Sequence, residues 1–144
     1  MQKAIVCDID DTIVKPAEHY APIKNVIDFL IENSDTYKII MLTARVDTQR
    51  NFTLQQLRDL KIPFDRLIMD SFRDKNHADS TTVEHGIYKA NEVRKLMTEF
   101  DVALFIDNSK HARKDVKKLG IRTKKPENIT PSTLTKTVWS GTFI

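Results

Sequence analysis

The chain has 144 residues, the size of one ordinary domain, with 40% hydrophobic and 30% charged residues and a net charge of +3. Three glycines and five prolines are too few for a disordered or collagen-like chain, and one cysteine excludes an internal disulfide or a multi-cysteine zinc cluster. The longest apolar run, Val102 to Ile106, is far shorter than the roughly 20 residues of a membrane-spanning helix. We therefore expect one domain over residues 1–144, in a reducing, cytoplasmic setting and without a membrane partner.

Four short apolar runs, each bounded by polar residues, predict the strands of a sheet. They are Ala4–Cys7, Ile39–Leu42, Leu67–Met69 and Val102–Ile106. Unbroken apolar strands of this length are typical of a parallel sheet that is covered on both faces.

The segments between these runs carry helical spacing, with apolar residues three and four positions apart. Four helices are predicted: one opened by Pro22, one around Thr48–Leu60, and two more farther along the chain. The apolar stripe of the first helix is Ile23, Val26, Ile27 and Leu30, and that of the third is Ile87, Ala90, Val93, Met97 and Phe100. The stripe of the fourth is Ala112, Val116 and Leu119, and Gly120 is placed to end that helix. Strands alternating with helices predict βαβ units and an α/β, Rossmann-like three-layer sandwich with a central parallel sheet. The tail from about residue 125 is less regular, and we expect Trp139 and Phe143 to pack it on the domain.

Polar side chains follow the predicted strands at their carboxyl ends, where open parallel sheets bind ligands. Asp8 is the first of these, and Asp10, Asp11 and Thr12 come directly after it; the later ends are Thr43, Asp70 and Asp107. Carboxylates this close repel one another unless a cation or a proton separates them, and they suit a hard cation such as Mg²⁺. Taken singly, each of these residues can also cap a turn or a helix, so it is their convergence that favours a site.

These residues resemble the motifs of the haloacid dehalogenase-like (HAD) phosphatases. The segment 3–12 is similar to the first motif, an apolar strand followed by Asp-x-Asp-x-Thr, and the segment 39–43 to the second, an apolar strand ending in Thr or Ser. Lys89 stands where the family has its lysine, and the segment 104–107 resembles the last motif, an apolar strand ending in an acid. The resemblance extends to Arg122 and implies a HAD-like sandwich.

The resemblance implies a phosphatase that works through an aspartyl-phosphate. Asp8 is then the nucleophile, and Asp10 is the general acid and later the general base. The implied cofactor is Mg²⁺, held by Asp8, Asp107 and the backbone carbonyl of Asp10, while Thr43 and Lys89 bind phosphate oxygens. Response-regulator receiver domains also carry acids, a Thr and a Lys at strand ends, but their order along the chain differs from the order here.

A closer resemblance is to the 3′-phosphatase domain of phage-type polynucleotide kinase-phosphatases. Thr43-Ala44-Arg45 looks like that group's Thr/Ser-small-Arg, in which the arginine contacts substrate phosphate. The run 64–69, then Arg73, Asp79 and Tyr88-Lys89, and the basic segment 110–120 also follow its pattern, and Arg73 is an auxiliary residue by this resemblance.

Three positions depart from these patterns. Asn108 replaces the second acid that is frequent in the last HAD motif, so it is an auxiliary residue that can ligate or orient a metal-bound water without adding charge. His19 and His85 stand near positions where the 3′-phosphatase group has an arginine and an acid. No P-loop pattern occurs, so we expect no kinase domain in this chain.

The lengths of the connections predict that no large cap domain covers the site. No cap fits between Thr12 and Pro22, and fewer than thirty residues separate Leu60 from Lys89. An open site admits the end of a polymer. Residues 110–125 contain eight basic side chains and one acid, Asp115, a pattern that suits binding of phosphates but is also typical of a solvated helix face.

We therefore expect a Mg²⁺-dependent phosphomonoesterase acting on nucleotide or nucleic-acid 3′-phosphate ends. The alternatives are a HAD phosphatase of a small phosphorylated metabolite and a phosphate-binding regulatory module without turnover. The sequence leaves open the natural substrate, the metal affinity, the oligomeric state, and whether a separate kinase or ligase partner exists.

Overall fold

The predicted apolar runs form a parallel sheet in this computed structural model, which describes residues 1–70 and 82–135. The strands of the described residues are Gln2–Cys7 (β1), Val14–Lys15 (β2), Ala21–Pro22 (β3), Lys38–Val46 (β4), Arg66–Asp70 (β5), Phe100–Ile106 (β6) and Thr123–Lys124 (β7). Five of them form the sheet in the order β5-β4-β1-β6-β7, and each pairing in it is parallel. The other two, β2 and β3, pair as a short antiparallel hairpin.

Helices cover both faces of this sheet. In the described ranges they are Lys24–Asn33 (α1), Arg50–Asp59 (α2), Thr82–Leu96 (α3) and Lys110–Lys117 (α4). One core cluster joins α1 and α2 to one face of β1 through Ile5 and Cys7, and a second joins α3 and α4 to the other face through Ala4 and Val6. This alternation is what a strand with both faces covered requires, and the predicted α/β three-layer sandwich is confirmed.

The first strand lies at the centre of the sheet, between β4 and β6. Its last residue, Cys7, is in register with Met41 on one side and Ile106 on the other. The next residue, Asp8, continues the ladder, because its N–H donates to the Ile106 carbonyl at 2.9 Å. Parallel strands end at the same edge, so Asp8 and Asp107 emerge side by side.

Two boundaries differ from the sequence prediction. Pro22 belongs to β3, and α1 begins two residues later at Lys24, because the hairpin takes up the segment expected to open the helix. The strand β4 continues to Val46, so Thr43 lies inside a strand rather than at its end. The pairing of β4 with β5 is irregular after Leu42, which leaves the Thr43 backbone outside the regular ladder on that side.

The apolar stripe predicted for α3 is partly wrong. Ile87 is exposed, whereas Ala90 and Val93 are buried against the sheet as predicted. The inward face of the helix carries Gly86 and Lys89 in place of Ile87, because this face meets both the neighbouring helix α4 and the polar edge of the sheet. Met97 and Phe100 follow the helix and pack against the same core.

The segment after α4 packs on the domain through backbone and side-chain contacts. Ile129 is buried in the core on the α1 side, and the Asn25 amide in α1 donates to the carbonyls of Pro126 and Ile129 at 2.8 and 3.1 Å. Trp139 and Phe143, which we expected to anchor this tail, lie outside the described residues.

The carboxyl edge of the sheet carries no large cap in the described residues. Between β1 and α1 the chain forms the β2–β3 hairpin with a short 3-10 helix, Pro16–Glu18. Among the described helices, none combines the length and apolar character needed to cross a bilayer.

Substitution of Gly86 tests the close approach of α3 and α4. A Cβ at this position meets the Ala112 nitrogen, the His111 carbonyl carbon and an Asp115 oxygen, each at 3.1 Å. We expect Gly86→Val to lower the free energy of unfolding by about 1–3 kcal/mol in urea denaturation, because two helix backbones must separate. The control is Asn91→Val on the exposed face of the same helix. Equal losses in the two variants would contradict the packing explanation.

Candidate functional site

The carboxyl edge of the sheet holds a pocket of about 460 Å³. Six of the residues predicted to act in catalysis, phosphate binding or metal binding line it: Asp8, Asp10, Thr43, Arg45, Lys89 and Asn108. They come from three neighbouring strands or the loops after them and from α3, which explains why they are scattered along the chain. Asp107 lies directly beneath this surface and is fully buried.

The Lys89 ammonium joins the two buried carboxylates. Its Nζ donates to Asp8 Oδ1 at 2.9 Å and to Asp107 Oδ2 at 2.7 Å, and all three side chains are nearly inaccessible to solvent. The remaining carboxylate oxygens also have partners, because the Thr12 hydroxyl donates to Asp8 Oδ2 at 2.9 Å and the Ser109 N–H donates to Asp107 Oδ1 at 2.8 Å. Both carboxyl groups are therefore fixed in orientation.

This cluster contains two carboxyl groups and one ammonium group, and the excess of acid shifts the pKa values of its members. Burial, and then the charge of Asp8, raise the pKa of Asp107 to about 7, although Lys89 opposes the change. Burial alone would lower the pKa of Lys89, but the charges of Asp8 and Asp107 outweigh it and the pKa is raised, so the ammonium stays protonated. Two carboxyl groups thus share one ammonium.

The tight turn after β1 directs its acids into the pocket. Asp11 adopts a left-handed conformation with φ 59°, which aspartate tolerates, and its N–H donates to the Val14 carbonyl. Ile9, between the two predicted catalytic acids, is fully buried and ties the turn to the core. The Thr12 hydroxyl also accepts from the Asn108 N–H at 3.1 Å, which links this turn to the loop after β6.

Arg45 forms a two-point ion pair with Asp10. Its Nε donates to Asp10 Oδ2 at 3.1 Å and its Nη2 to Asp10 Oδ1 at 2.6 Å, while Nη1 donates to the Thr53 hydroxyl at 2.9 Å. The Arg45 side chain is 5% exposed and that of Asp10 is 40% exposed, so a buried guanidinium holds a carboxylate at the pocket wall. The Arg45 N–H also donates to the Thr43 hydroxyl at 3.1 Å.

Cys7 lies directly beneath the pocket floor. It is fully buried, and burial, followed by the charges of Asp8 and Asp107, raises the pKa of its thiol well above the ordinary value, against a lowering influence of Lys89. The thiol is therefore neutral at neutral pH, and Cys7 does not line the pocket.

Of the remaining residues singled out in the sequence, only some lie at the pocket. Asp11 and His85 line the pocket, whereas Asp70 is buried but is absent from its lining. Arg73 lies outside the described residues. His19 lies in the connection between β2 and β3 and does not line the pocket.

Sequence reasoning assigned no role to Thr12 and Thr53, which hold the site together, and only a minor helper role to Ser109. Thr12 carried a signal, since it closes the Asp-x-Asp-x-Thr pattern, and Ser109 was visible as a cap of α4. Thr53, which receives a bond from Arg45 and donates to the Gln49 carbonyl at 2.8 Å, had no sequence signal.

The donor set fits a Mg²⁺ ion in its chemistry. No three His, Cys, Asp or Glu side chains form a metal-binding group within residues 1–70 and 82–135. Mg²⁺, however, commonly takes one or two carboxylates and fills its other positions with carbonyl oxygens, water and phosphate. Asp8 and Asp107 supply two hard oxygen donors whose charge a single ammonium offsets only in part.

Comparisons with known proteins add evidence on the fold. No protein-family model matches the chain, and no curated protein matches it significantly by sequence. A chain of the Pnkp1/Rnl/Hen1 RNA repair complex superposes with a TM-score of 0.70 at 20% identity, covering 87% of this chain and 42% of that one. A second structure of the Pnkp1/Rnl/Hen1 complex gives a TM-score of 0.68 at 19% identity, covering 87% and 46%.

A third solved structure shows how widely this architecture is shared. UDP-GlcNAc 2-epimerase from Neisseria meningitidis, bound to UDP-GlcNAc, superposes with a TM-score of 0.51 at 16% identity, covering 87% of this chain and 31% of the epimerase. The chain spans less than half the length of each of these proteins. At such identities the similarity establishes the shared fold.

Substitution of Lys89 by Met tests the buried ion cluster. We expect a loss of about 3–5 kcal/mol in the free energy of unfolding near neutral pH, because two buried carboxyl groups lose their cation. The comparison is made by urea denaturation with a chelator present. Lys95→Met, at an exposed position of the same helix, is the matched control.

The pH dependence of this loss carries a definite sign. The folded chain holds a proton on Asp107 that the unfolded chain releases between its ordinary pKa of 3.8 and about 7, so this group destabilises the fold as the pH rises through that window. Without the ammonium, the pKa of Asp107 in the folded chain rises further, so the folded chain keeps this proton to a higher pH. The deficit of Lys89→Met therefore shrinks as the pH is lowered from about 8 to about 5; a deficit that grows on acidification would contradict this account.

Proposed function

We propose that the chain is a Mg²⁺-dependent phosphomonoesterase that acts through an aspartyl-phosphate at Asp8. The observation that carries the proposal is the Asp8 carboxylate at the pocket floor, held by Lys89 and Thr12 with Asp10 on the adjacent wall. The resemblance of the sequence motifs to HAD phosphatases supports the same chemistry. A nucleophile and a separate acid on one pocket are what covalent phosphoryl transfer needs.

In the first step, an Asp8 oxygen attacks the phosphorus atom. A P–O bond forms to Asp8, the bond to the leaving oxygen breaks, and the leaving oxygen takes a proton from the Asp10 carboxyl. Each carboxylate oxygen has two lone-pair positions, so the bonds from Lys89 and Thr12 orient Asp8 without removing its nucleophilic pairs.

In the second step, water attacks the phosphorus of the aspartyl-phosphate. Its proton passes to the Asp10 carboxylate, the P–O bond to Asp8 breaks, and inorganic phosphate and free Asp8 are the products. The two steps together return Asp10 to its starting protonation state, which is why one residue serves as acid and then as base.

Arg45, Thr43 and Lys89 are the phosphate-binding residues in this proposal. A phosphate dianion competes with Asp10 for the Arg45 guanidinium, since both accept two parallel N–H bonds, and the competition releases Asp10 for proton transfer. The Thr43 hydroxyl accepts from a backbone N–H and keeps its own proton to donate. Lys89 uses two of its three donors on carboxylates and retains one.

Asp8, Asp107 and the backbone carbonyl of Asp10 would hold the Mg²⁺ ion, with Asn108 as an auxiliary. When bound, the ion supplies positive charge that offsets the repulsion between the Asp8 carboxylate and the phosphate group.

We propose nucleic-acid 3′-phosphate ends as the substrate class. The pocket is uncapped in the described part of the chain, and α4, whose cap residue Ser109 lines the pocket, exposes Lys110, Lys114 and Lys117. The similarity to chains of an RNA repair complex agrees with an end-processing role. The second candidate is a phosphatase of small metabolites, because a pocket of about 460 Å³ also suits a small molecule.

Removal of either acid tests the proposed roles. We expect Asp8→Asn to abolish hydrolysis of an aryl phosphate, because the amide does not form the covalent intermediate, and Asp10→Asn to slow it by about 10²–10⁴-fold. Asp101→Asn, an exposed position at the opposite end of β6, is the control. Full activity of Asp8→Asn would refute the nucleophile assignment, and no turnover by the unaltered protein would favour the regulatory module.

A panel of phosphomonoesters tests the substrate class and the metal together. We expect release of phosphate from oligonucleotide 3′-phosphates in preference to 5′-phosphates and sugar phosphates, loss of activity with a chelator, and recovery with added Mg²⁺. Activity confined to sugar phosphates would transfer the assignment to the metabolite phosphatase, and undiminished activity in chelator would refute the metal requirement.

A further inference from the structure

Two aromatic rings stand beside the pocket and have no part in the chemistry proposed above. Tyr20, in the connection between β2 and β3, is 41% exposed, and Phe52, near the start of α2, is 48% exposed. Their ring centroids lie 5.4 Å apart and the planes meet at 65°, an edge-to-face pair. The pair is exposed apolar surface beside Arg45, a residue that lines the pocket.

The Arg45 guanidinium connects these rings to the reacting groups. Its central carbon lies 5.6 Å from the Phe52 ring centroid and 6.0 Å from that of Tyr20, within the range of cation–π attraction. The same guanidinium is bonded to Asp10 and lines the pocket. The rings are therefore one side chain away from the proposed phosphate subsite.

We infer that Tyr20 and Phe52 form a stacking surface for the base of the nucleotide that carries the phosphate. The inference rests on the proposed function and names the part of its substrate that lies outside the phosphate subsite. Every base has a π-face, so stacking on aromatic rings binds bases with little regard to sequence. A single-stranded end can turn either face of its terminal base toward the rings, so we take such an end as the ligand.

The exposed lysines of α4, on the far side of the pocket, favour a polyanion as the ligand of this surface. The aromatic pair lies on the β4 side of the central strand, through Arg45 and α2. On the opposite, β6 side, α4 starts at the pocket and exposes Lys110, Lys114 and Lys117 to solvent. A ligand with both flat rings and several phosphates matches the two sides together, whereas an apolar partner would meet uncompensated cations.

The experiment compares two single-stranded oligonucleotides with a 3′-phosphate, one ending in an ordinary nucleotide and the other in an abasic nucleotide. We expect the unaltered protein to prefer the ordinary end by about tenfold in KM, and Phe52→Leu and Tyr20→Asn to bring this preference close to one. Leucine keeps apolar volume without a ring, and asparagine tolerates the left-handed backbone at residue 20, where φ is 60°. Ile31→Ala, at an exposed apolar position of α1, is the control and keeps the preference.

The experiment distinguishes two roles for the rings: stacking on a base, or only positioning the Arg45 guanidinium. If the rings only position the guanidinium, both variants lower turnover of the two oligonucleotides equally and the preference survives, which overturns the inference. Binding of the same oligonucleotides is measured in parallel by fluorescence anisotropy with a chelator present. Selective binding of the ordinary end without any turnover overturns the proposed function and supports stacking. Turnover of both oligonucleotides without a preference supports the proposed function and overturns stacking. If neither selective binding nor turnover is observed, the proposed function and the stacking inference are both overturned.

Discussion

The whole site depends on one buried ammonium group. Lys89 is brought to the sheet edge by α3 and lies between the acids that follow β1 and β6, where it bonds to both at 2.9 and 2.7 Å. Two buried carboxyl groups that share one ammonium repel each other when both are charged, and the fold tolerates them because this cation is bonded to both. The same contact, together with the bond from Thr12, orients Asp8 at the pocket, so one ammonium group serves both the stability of the fold and the geometry of the site.

The topology supplies the groups that meet there. The central position of β1 gives Asp8 a neighbour on each side: Thr43 and Arg45 come from β4, and Asp107 follows β6. The close contact of α3 with α4 at Gly86 fixes the helix that carries the lysine. No single segment contains all the polar groups of the pocket, and the parallel register brings the segments together.

The sequence predicts the fold and most residues of the pocket, but not the contacts that these residues make with one another. Apolar runs locate buried strands directly, because a strand covered on both faces has no polar alternation, and strand-end acids then converge by topology. The extension of β4 beyond Thr43 was missed, since an irregular ladder leaves no compositional trace. The pairing of Arg45 with Asp10 and the Tyr20–Phe52 contact depend on distances between remote segments, which side-chain pattern does not encode.

The position of the lone thiol gives the molecule a built-in reporter. Cys7 is the last residue of the central strand, its side chain packs in the core cluster shared with α1 and α2, and the thiol is inaccessible to solvent and uncharged at neutral pH. An alkylating reagent reaches this sulfur only when the core between the sheet and the helices α1 and α2 opens, because the thiol is fully buried in that core. Labelling kinetics at this one atom therefore follow the disassembly of the layer on which the acids are mounted.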